Sequence, residues 1–160
     1  MSNRVGIGYD VHPFSSEEGR ELVLGGVRFA DERGLAGHSD ADVAAHAVAD
    51  AMLGAAGLGD LGAHFPDRDG QWAGVDSLEL LARVAGLVAD VGLRLANADC
   101  TVVGERPRIA PVREQMMERL SSAAGGPVHV KATRPERLGA LGREEGIACV
   151  AVALLEEIAR

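Results

Sequence analysis

The clearest chemistry in the chain sits at two places. Asp10-Val11-His12 closes an apolar opening segment, and His38-Ser39-Asp40-Ala41-Asp42-Val43-Ala44-Ala45-His46 follows a glycine-punctuated stretch. Residues two apart on a strand point to one face, so Asp10 and His12 can converge on a single ion while Val11 points away. His46 can supply a third ligand from a helix. One carboxylate and two imidazoles leave the fourth position of a tetrahedral zinc ion open, as catalytic rather than structural sites do, and an open position implies a substrate. An Asp-x-His pair also arises by chance, and a histidine in an alanine-rich helix is as readily packed or capping. The metal reading is favoured because three of the five histidines, His12, His38 and His46, fall in these two motifs. His129 alternates within an apolar strand pattern and reads as structural, while His64 stays open.

The elements that must position these groups follow from periodicity. Arg4 to Tyr9 reads as a strand, and Glu21 to Phe29 as a hairpin turning on Gly25-Gly26. Ser39 or Asp40 is the expected N-cap of a helix whose apolar stripe is Val43, Ala47, Val48, Ala51, Met52 and Ala55. Asp42, His46 and Asp50 would then share one polar face, giving His46 a carboxylate to fix its tautomer. Ser77 to Val91 and Pro111 to Ser122 read as packing helices, and Asn97 to Val103 and Val128 to Thr133 as strands. The closing run from Ile147 fits a strand or a helix by periodicity; its glycine-flanked start favours a strand over Ile147 to Val152.

Bulk properties narrow the function. The chain of 160 residues is long enough for one domain, 1-160, with a real core, and no tract is biased enough for disorder. A net charge of -8 argues against nucleic acid as a partner. It also repels small anions, so a phosphorylated substrate needs local cations, for which Lys131, Arg134, Arg137 and Arg143 are candidates. Arg137 and Arg143 could equally pair with Glu136, Glu144 and Glu145 on the surface. No apolar run approaches a membrane span, and the opening leads into a strand pattern rather than a signal peptide, so no membrane partner and a cytoplasmic location are expected. Cys100 and Cys149 are isolated in apolar segments and read as buried free thiols.

Taken in order, the motifs resemble those of 2-C-methyl-D-erythritol 2,4-cyclodiphosphate synthases, enzymes of the non-mevalonate isoprenoid pathway. The resemblance rests on Arg4 through His12, His38 through His46, Leu53-Gly54-Ala55-Ala56 to Asp60-Leu61-Gly62, Phe65-Pro66-Asp67, Asn97-Ala98-Asp99, Lys131-Ala132-Thr133, and Gly142-Arg143 to Ala148. It implies an α/β (α+β) domain with a mainly four-stranded sheet packed by helices on one side. It also implies a homotrimer with sheets facing the three-fold axis and active sites between subunits. The implied reaction is release of CMP from 4-diphosphocytidyl-2-C-methyl-D-erythritol 2-phosphate as its 2-phosphate attacks the β-phosphorus.

By the same resemblance, zinc is held by Asp10, His12 and His46, and a second ion, magnesium or manganese, by Glu136. His38 and Ser39 hold phosphate, with His38 stabilising the transition state. Asp60 and Gly62 bind the erythritol hydroxyls, and Phe65, Asp67 and Asp69 form the neighbouring substrate loop. Gly104 through Arg108, with Arg106 between, cradles the cytidine, and Thr133 and Arg143 match substrate positions. Three residues differ from the family pattern. Arg134, before Pro135, stands where a hydroxyl is usual and would neutralise phosphate instead; Ala140 replaces an aromatic ring, and Arg108 a lysine.

Overall fold

The computed structural model describes residues 3–66 and 68–158. In chain order these form β1 (Arg4–Pro13), β2 (Glu21–Leu24), β3 (Val27–Arg33), α1 (Val43–Ala56), α2 (Leu61–His64), α3 (Ser77–Asp90), β4 (Leu93–Val103), α4 (Arg113–Ala124), β5 (Val128–Thr133), α5 (Gly139–Gly142) and β6 (Gly146–Glu157). The four-stranded sheet runs β1-β6-β4-β5, and β2 and β3 form a separate hairpin. β6 is antiparallel to both neighbours, whereas β4 and β5 are parallel and joined through α4, because a parallel pair needs a crossover rather than a tight turn. The closing apolar run is therefore a strand, and it continues past Val152 to Glu157 between two partners.

The sheet is two-faced. Along β1 the inward positions Gly6 and Gly8 are buried, while Val5, Ile7, Tyr9 and Val11 on the outward face stand 46–71% exposed. Helices α1, α3 and α4 cover the inward face, and Met52, Leu53, Leu81, Met116, Leu120, Ile147 and Leu155 fill the space between. The glycines matter because α1 lies directly on them: a Cβ at Gly8 would fall 2.0 Å from the Ala47 carbonyl oxygen, and one at Gly6 2.1 Å from that of Ala51. Glycine on the strand and alanine on the helix thus bring the two backbones unusually close.

α1 starts later than the sequence suggests. Its N-cap is Asp42, not Ser39 or Asp40, and the Asp42 carboxylate accepts from the backbone N–H groups of Ala44 and Ala45 at 3.1 and 3.2 Å. The same carboxylate accepts from Gly25 and Gly26 at 2.9 and 2.7 Å, tying the β2–β3 hairpin to the helix. Those glycines have φ of 57° and 73°, as the tight turn requires. Asp42 is consequently fully buried and leaves the polar face on which it was expected with His46 and Asp50. Burial, followed by the nearby Asp40 charge, pushes its carboxyl up to about 6 against the pull of the backbone N–H donors.

Cys100 and Cys149 are buried free thiols, and hydrogen bonding to Cys100, with burial, pushes the Cys149 thiol far up. His129 lies exposed on β5. Among the described residues no helix is long and apolar enough to cross a membrane.

Candidate active site

Asp10 and His12 emerge on the inward side at the C-terminal end of β1, and His46 meets them one turn into α1. Asp10 Oδ2 lies 3.1 Å from His12 Nε2 and 3.1 Å from His46 Nδ1. The three ligand atoms all fall within 4.8 Å of one another, the spacing a single metal ion needs. Burial would raise the Asp10 carboxyl, but hydrogen bonds to His12 and His46 prevail and hold it well below the ordinary carboxylate range. The carboxylate is therefore ionised at neutral pH and ready to ligate.

Each imidazole is oriented from behind. His12 Nδ1 sits 2.7 Å from the Ala36 carbonyl oxygen, which can only accept, so Nδ1 donates there and Nε2 faces Asp10, the position from which it would offer a lone pair to a bound ion. His46 Nε2 lies 2.9 Å from Ser77 Oγ and 3.1 Å from Ser39 Oγ, and the Ser77 hydroxyl in turn donates to Asp40 Oδ1. The carboxylate that fixes the His46 tautomer is thus Asp40, reached through Ser77, rather than Asp42 or Asp50 from its own helix. Asp50 instead accepts from the Leu61 N–H at 2.7 Å, and burial raises its pKa. The donor set suits zinc: one carboxylate oxygen and two imidazoles held from behind, with a face left open.

That open face borders a cavity of about 290 Å³ lined by Asp10, His12, Gly37, His38, Ser39, His46, Asp50, Leu61, Gly62, Phe65, Trp72 and Leu80. The structure thus brings His38, Ser39, Gly62 and Phe65 to the same cavity as the Asp10, His12 and His46 cluster. Ser39 is only 6% exposed, and its hydroxyl is engaged with His46, Ser77 and the Ala41 N–H. Asp60 caps α2 through the Ala63 N–H, and Asp69 caps the short turn Gly70–Trp72 while its carbonyl faces His38 Nε2 at 3.2 Å. Asp67 lies outside the described residues. Trp72, which packs edge-on against Phe65 at 5.1 Å, was missed in the sequence. The available signal was the chain's one tryptophan seven positions after one of its three phenylalanines, in a loop already singled out.

The remaining candidates occupy the other edge of the sheet. Gly104, Arg106 and Arg108 follow β4; Thr133, Arg134 and Glu136 end and follow β5; Arg143 follows α5. All the charged side chains here are exposed, and Lys131 and Arg143 pair with Asp99 and Glu145, so the four cations do not form one free cluster. Glu136 offers a single exposed carboxylate, which suits an ion held mainly by substrate phosphates.

Fold and site together define an α/β protein with a cluster of one carboxylate and two imidazoles that could hold a metal ion at the end of a mixed sheet. The YgbB family matches residues 3–156 of the chain. Over 154 residues the chain is 56% identical to the 2-C-methyl-D-erythritol 2,4-cyclodiphosphate synthase of Symbiobacterium thermophilum, covering 94% of itself and 97% of that enzyme. It is 57% identical to a bifunctional enzyme IspD/IspF of Anaeromyxobacter sp., where the match covers 96% of this chain but only 40% of the relative's length. Among solved structures, the bifunctional IspDF of Campylobacter jejuni superposes with a TM-score of 0.92 at 38% identity, over 98% of this chain and 43% of that one. The Plasmodium falciparum IspF structure, described as a CDP complex, superposes with a TM-score of 0.84 at 29% identity, over 99% and 98%. The chain belongs to the YgbB family of 2-C-methyl-D-erythritol 2,4-cyclodiphosphate synthases.

Proposed function

We propose that this chain is a phosphorus-oxygen lyase that converts 4-diphosphocytidyl-2-C-methyl-D-erythritol 2-phosphate into 2-C-methyl-D-erythritol 2,4-cyclodiphosphate and CMP. An oxygen of the 2-phosphate bonds to the β-phosphorus, the bond from that phosphorus to the bridging oxygen breaks, and CMP leaves with the electron pair. The observation that carries the reading is the convergence of Asp10, His12 and His46 on the rim of the cavity, in a chain of this family. Bound there, zinc would polarise the β-phosphate, and a second divalent ion at Glu136, magnesium or manganese, would neutralise charge on the departing CMP.

Most of the work falls to the chain's own groups, since a reaction between two anions needs positioning and charge neutralisation. Leu61, Phe65, Trp72 and Leu80 wall the cavity and exclude water around the erythritol chain. Asp60 and Gly62 would take its hydroxyls, with Asp69 in the neighbouring loop. His38, by turning its Nε2–H from the Asp69 carbonyl to the substrate, and Arg134 would donate to phosphate oxygens as charge develops. Gly104 to Arg108, Thr133 and Arg143 would hold the cytidine diphosphate, as the CDP complexes of related proteins suggest for this chain.

The two halves of this site belong to different subunits in the reading. β1 and β5 are the outer strands of the sheet, three strand spacings apart, or roughly 14 Å. A symmetric trimer that buries Val5, Ile7, Tyr9 and Val11 at its axis would set the β1 edge of one copy against the β5 edge of the next. Phosphorus NMR of the purified protein with substrate, zinc and magnesium tests the proposal: CMP with a cyclic diphosphate is expected. CMP with a linear product would make the protein a hydrolase, and unchanged substrate beside bound zinc would reduce it to a binding module.

A further inference from the structure

The geometry points to Glu105 as a positioning residue that locks the loop after β4 to the loop after β5, so that both grip a nucleoside diphosphate as one unit. Glu105 Oε1 accepts from the backbone N–H of Arg137 at 2.6 Å, across 32 residues of sequence. A carboxylate acceptor makes this a short, charge-assisted bond. Its target is an unusual stretch: Glu136 and Arg137 both hold left-handed backbone, with φ of 54° and 64°, a conformation that side-chain-bearing residues keep only when their surroundings impose it. Behind them the chain closes tightly, because a Cβ at Gly142 would meet the Arg137 carbonyl carbon at 2.2 Å. In front, Glu105 is the restraint.

The loop that carries Glu105 is itself anchored. Gly104 N–H donates to the Thr133 carbonyl at 3.2 Å, and the Arg106 guanidinium pairs with Glu32 of β3 at 3.3 Å. The two loops are therefore joined at Gly104–Thr133 and again at Glu105–Arg137, and the second joint sits one residue beyond Glu136. Glu105 acts through the Arg137 peptide, setting where the Glu136 carboxylate stands relative to the 104–108 backbone. This role rests on the reading that these loops hold the cytidine diphosphate.

Two variants separate positioning from general bracing. Glu105→Ala removes the acceptor, whereas Glu105→Gln keeps an oxygen in its place. The readouts are amide hydrogen exchange at Arg137 and calorimetric binding of CDP with magnesium, each on protein whose thermal midpoint matches the wild type. Glu105→Ala is expected to speed Arg137 exchange and weaken CDP roughly tenfold, with Glu105→Gln restoring most of both. Unchanged exchange and affinity in Glu105→Ala, or equal losses in the two variants, would overturn the role. Wild-type protein that fails to bind CDP would instead overturn the nucleotide reading, and with it the positioning role, while faster exchange in Glu105→Ala would then show only a braced loop.

Discussion

Replacing Gly8 by alanine tests the link between fold and metal site directly. The added methyl would lie 2.0 Å from the Ala47 carbonyl oxygen and 2.8 Å from the Ala51 nitrogen, both backbone atoms that no rotamer change can move. Restoring ordinary contact requires α1 to retreat from β1 by roughly 1.4 Å, in a core packed to crystal-like density. Overpacking of this kind costs about 1–3 kcal/mol, and a clash against helix backbone that cannot rotate away belongs at the upper end. Part is offset by about 0.5–1 kcal/mol from the reduced freedom of the unfolded chain. A net loss of about 2 kcal/mol lowers the melting midpoint by roughly 4–8 °C in a chain of this length.

The proposed zinc site would amplify that shift. His46 rides on α1 and Asp10 and His12 on β1, while zinc tolerates only about 0.2 Å of error in each ligand distance. Zinc affinity of Gly8→Ala, read by competition with a chelating dye at a temperature where the protein remains folded, should fall by at least the roughly 10–100-fold that loss of an outer ligand partner costs. Gly86→Ala is the control: this glycine is exposed within α3 with open space around it, and alanine there should stabilise by about 0.5–1 kcal/mol and leave zinc alone. Wild-type stability and zinc affinity in Gly8→Ala would refute the claim that close strand-helix approach builds the site.

Ser77→Ala cuts the link from His46 to Asp40 and should weaken zinc about 10–100-fold without changing the fold; unchanged affinity would mean that Ser39 alone orients the ring. Ile7→Asp puts a charge on an outward position 71% exposed in the chain, so it should dissociate the proposed trimer in sedimentation and abolish the proposed turnover while leaving zinc binding at the cluster in place; an unchanged sedimentation profile would remove the outward face from the proposed interface. In the metal-free protein Asp42, raised to about 6, contributes stability that is present below about pH 4 and lost as pH rises through 6, on the order of 3 kcal/mol. Asp10, depressed, contributes stability present above about pH 4 and lost in more acid solution. Denaturant unfolding from pH 4 to 7 should show the Asp42 loss in the wild type and not in Asp42→Asn; equal slopes would contradict it.

What could be read in the chain was what depends on short-range periodicity. The i, i+2 pairing of Asp10 with His12, the Gly25-Gly26 turn and the helix carrying His46 all follow from spacing, and all stand in the structure. What could not be read depends on groups far apart in sequence. Asp42 wins the N-cap because the Gly25 and Gly26 amides arrive from the hairpin to share its carboxylate, and the outer partner of His46 is contributed by Ser77, 31 residues away. Either could be found only once the hairpin and α3 were placed. Gly6 and Gly8 read as ordinary strand glycines for the same reason: their role appears only when α1 lies on them.

The distribution of cost within the fold follows from the same packing. Burying Asp42 without solvent is expensive, and the structure offsets it with four backbone donors, fixing the N-terminal end of α1 four residues before His46. The glycines of β1 fix the other coordinate, the separation of helix and sheet. With axial position set by Asp42, separation by Gly6 and Gly8, and ring rotation by Ser77 and Asp40, His46 has little freedom left, and its two ligand partners sit on a strand registered against β6 at Cys149 and Ile147. The β5 edge is tied at fewer points, by the Gly104 N–H to the Thr133 carbonyl and by the Arg137 N–H to Glu105, and Arg134, Glu136 and Arg143 stand exposed on its loops. In the proposed reaction, a His46 fixed in this way would help to hold one phosphate still, while exposed side chains on the β5 loops would let the leaving group go.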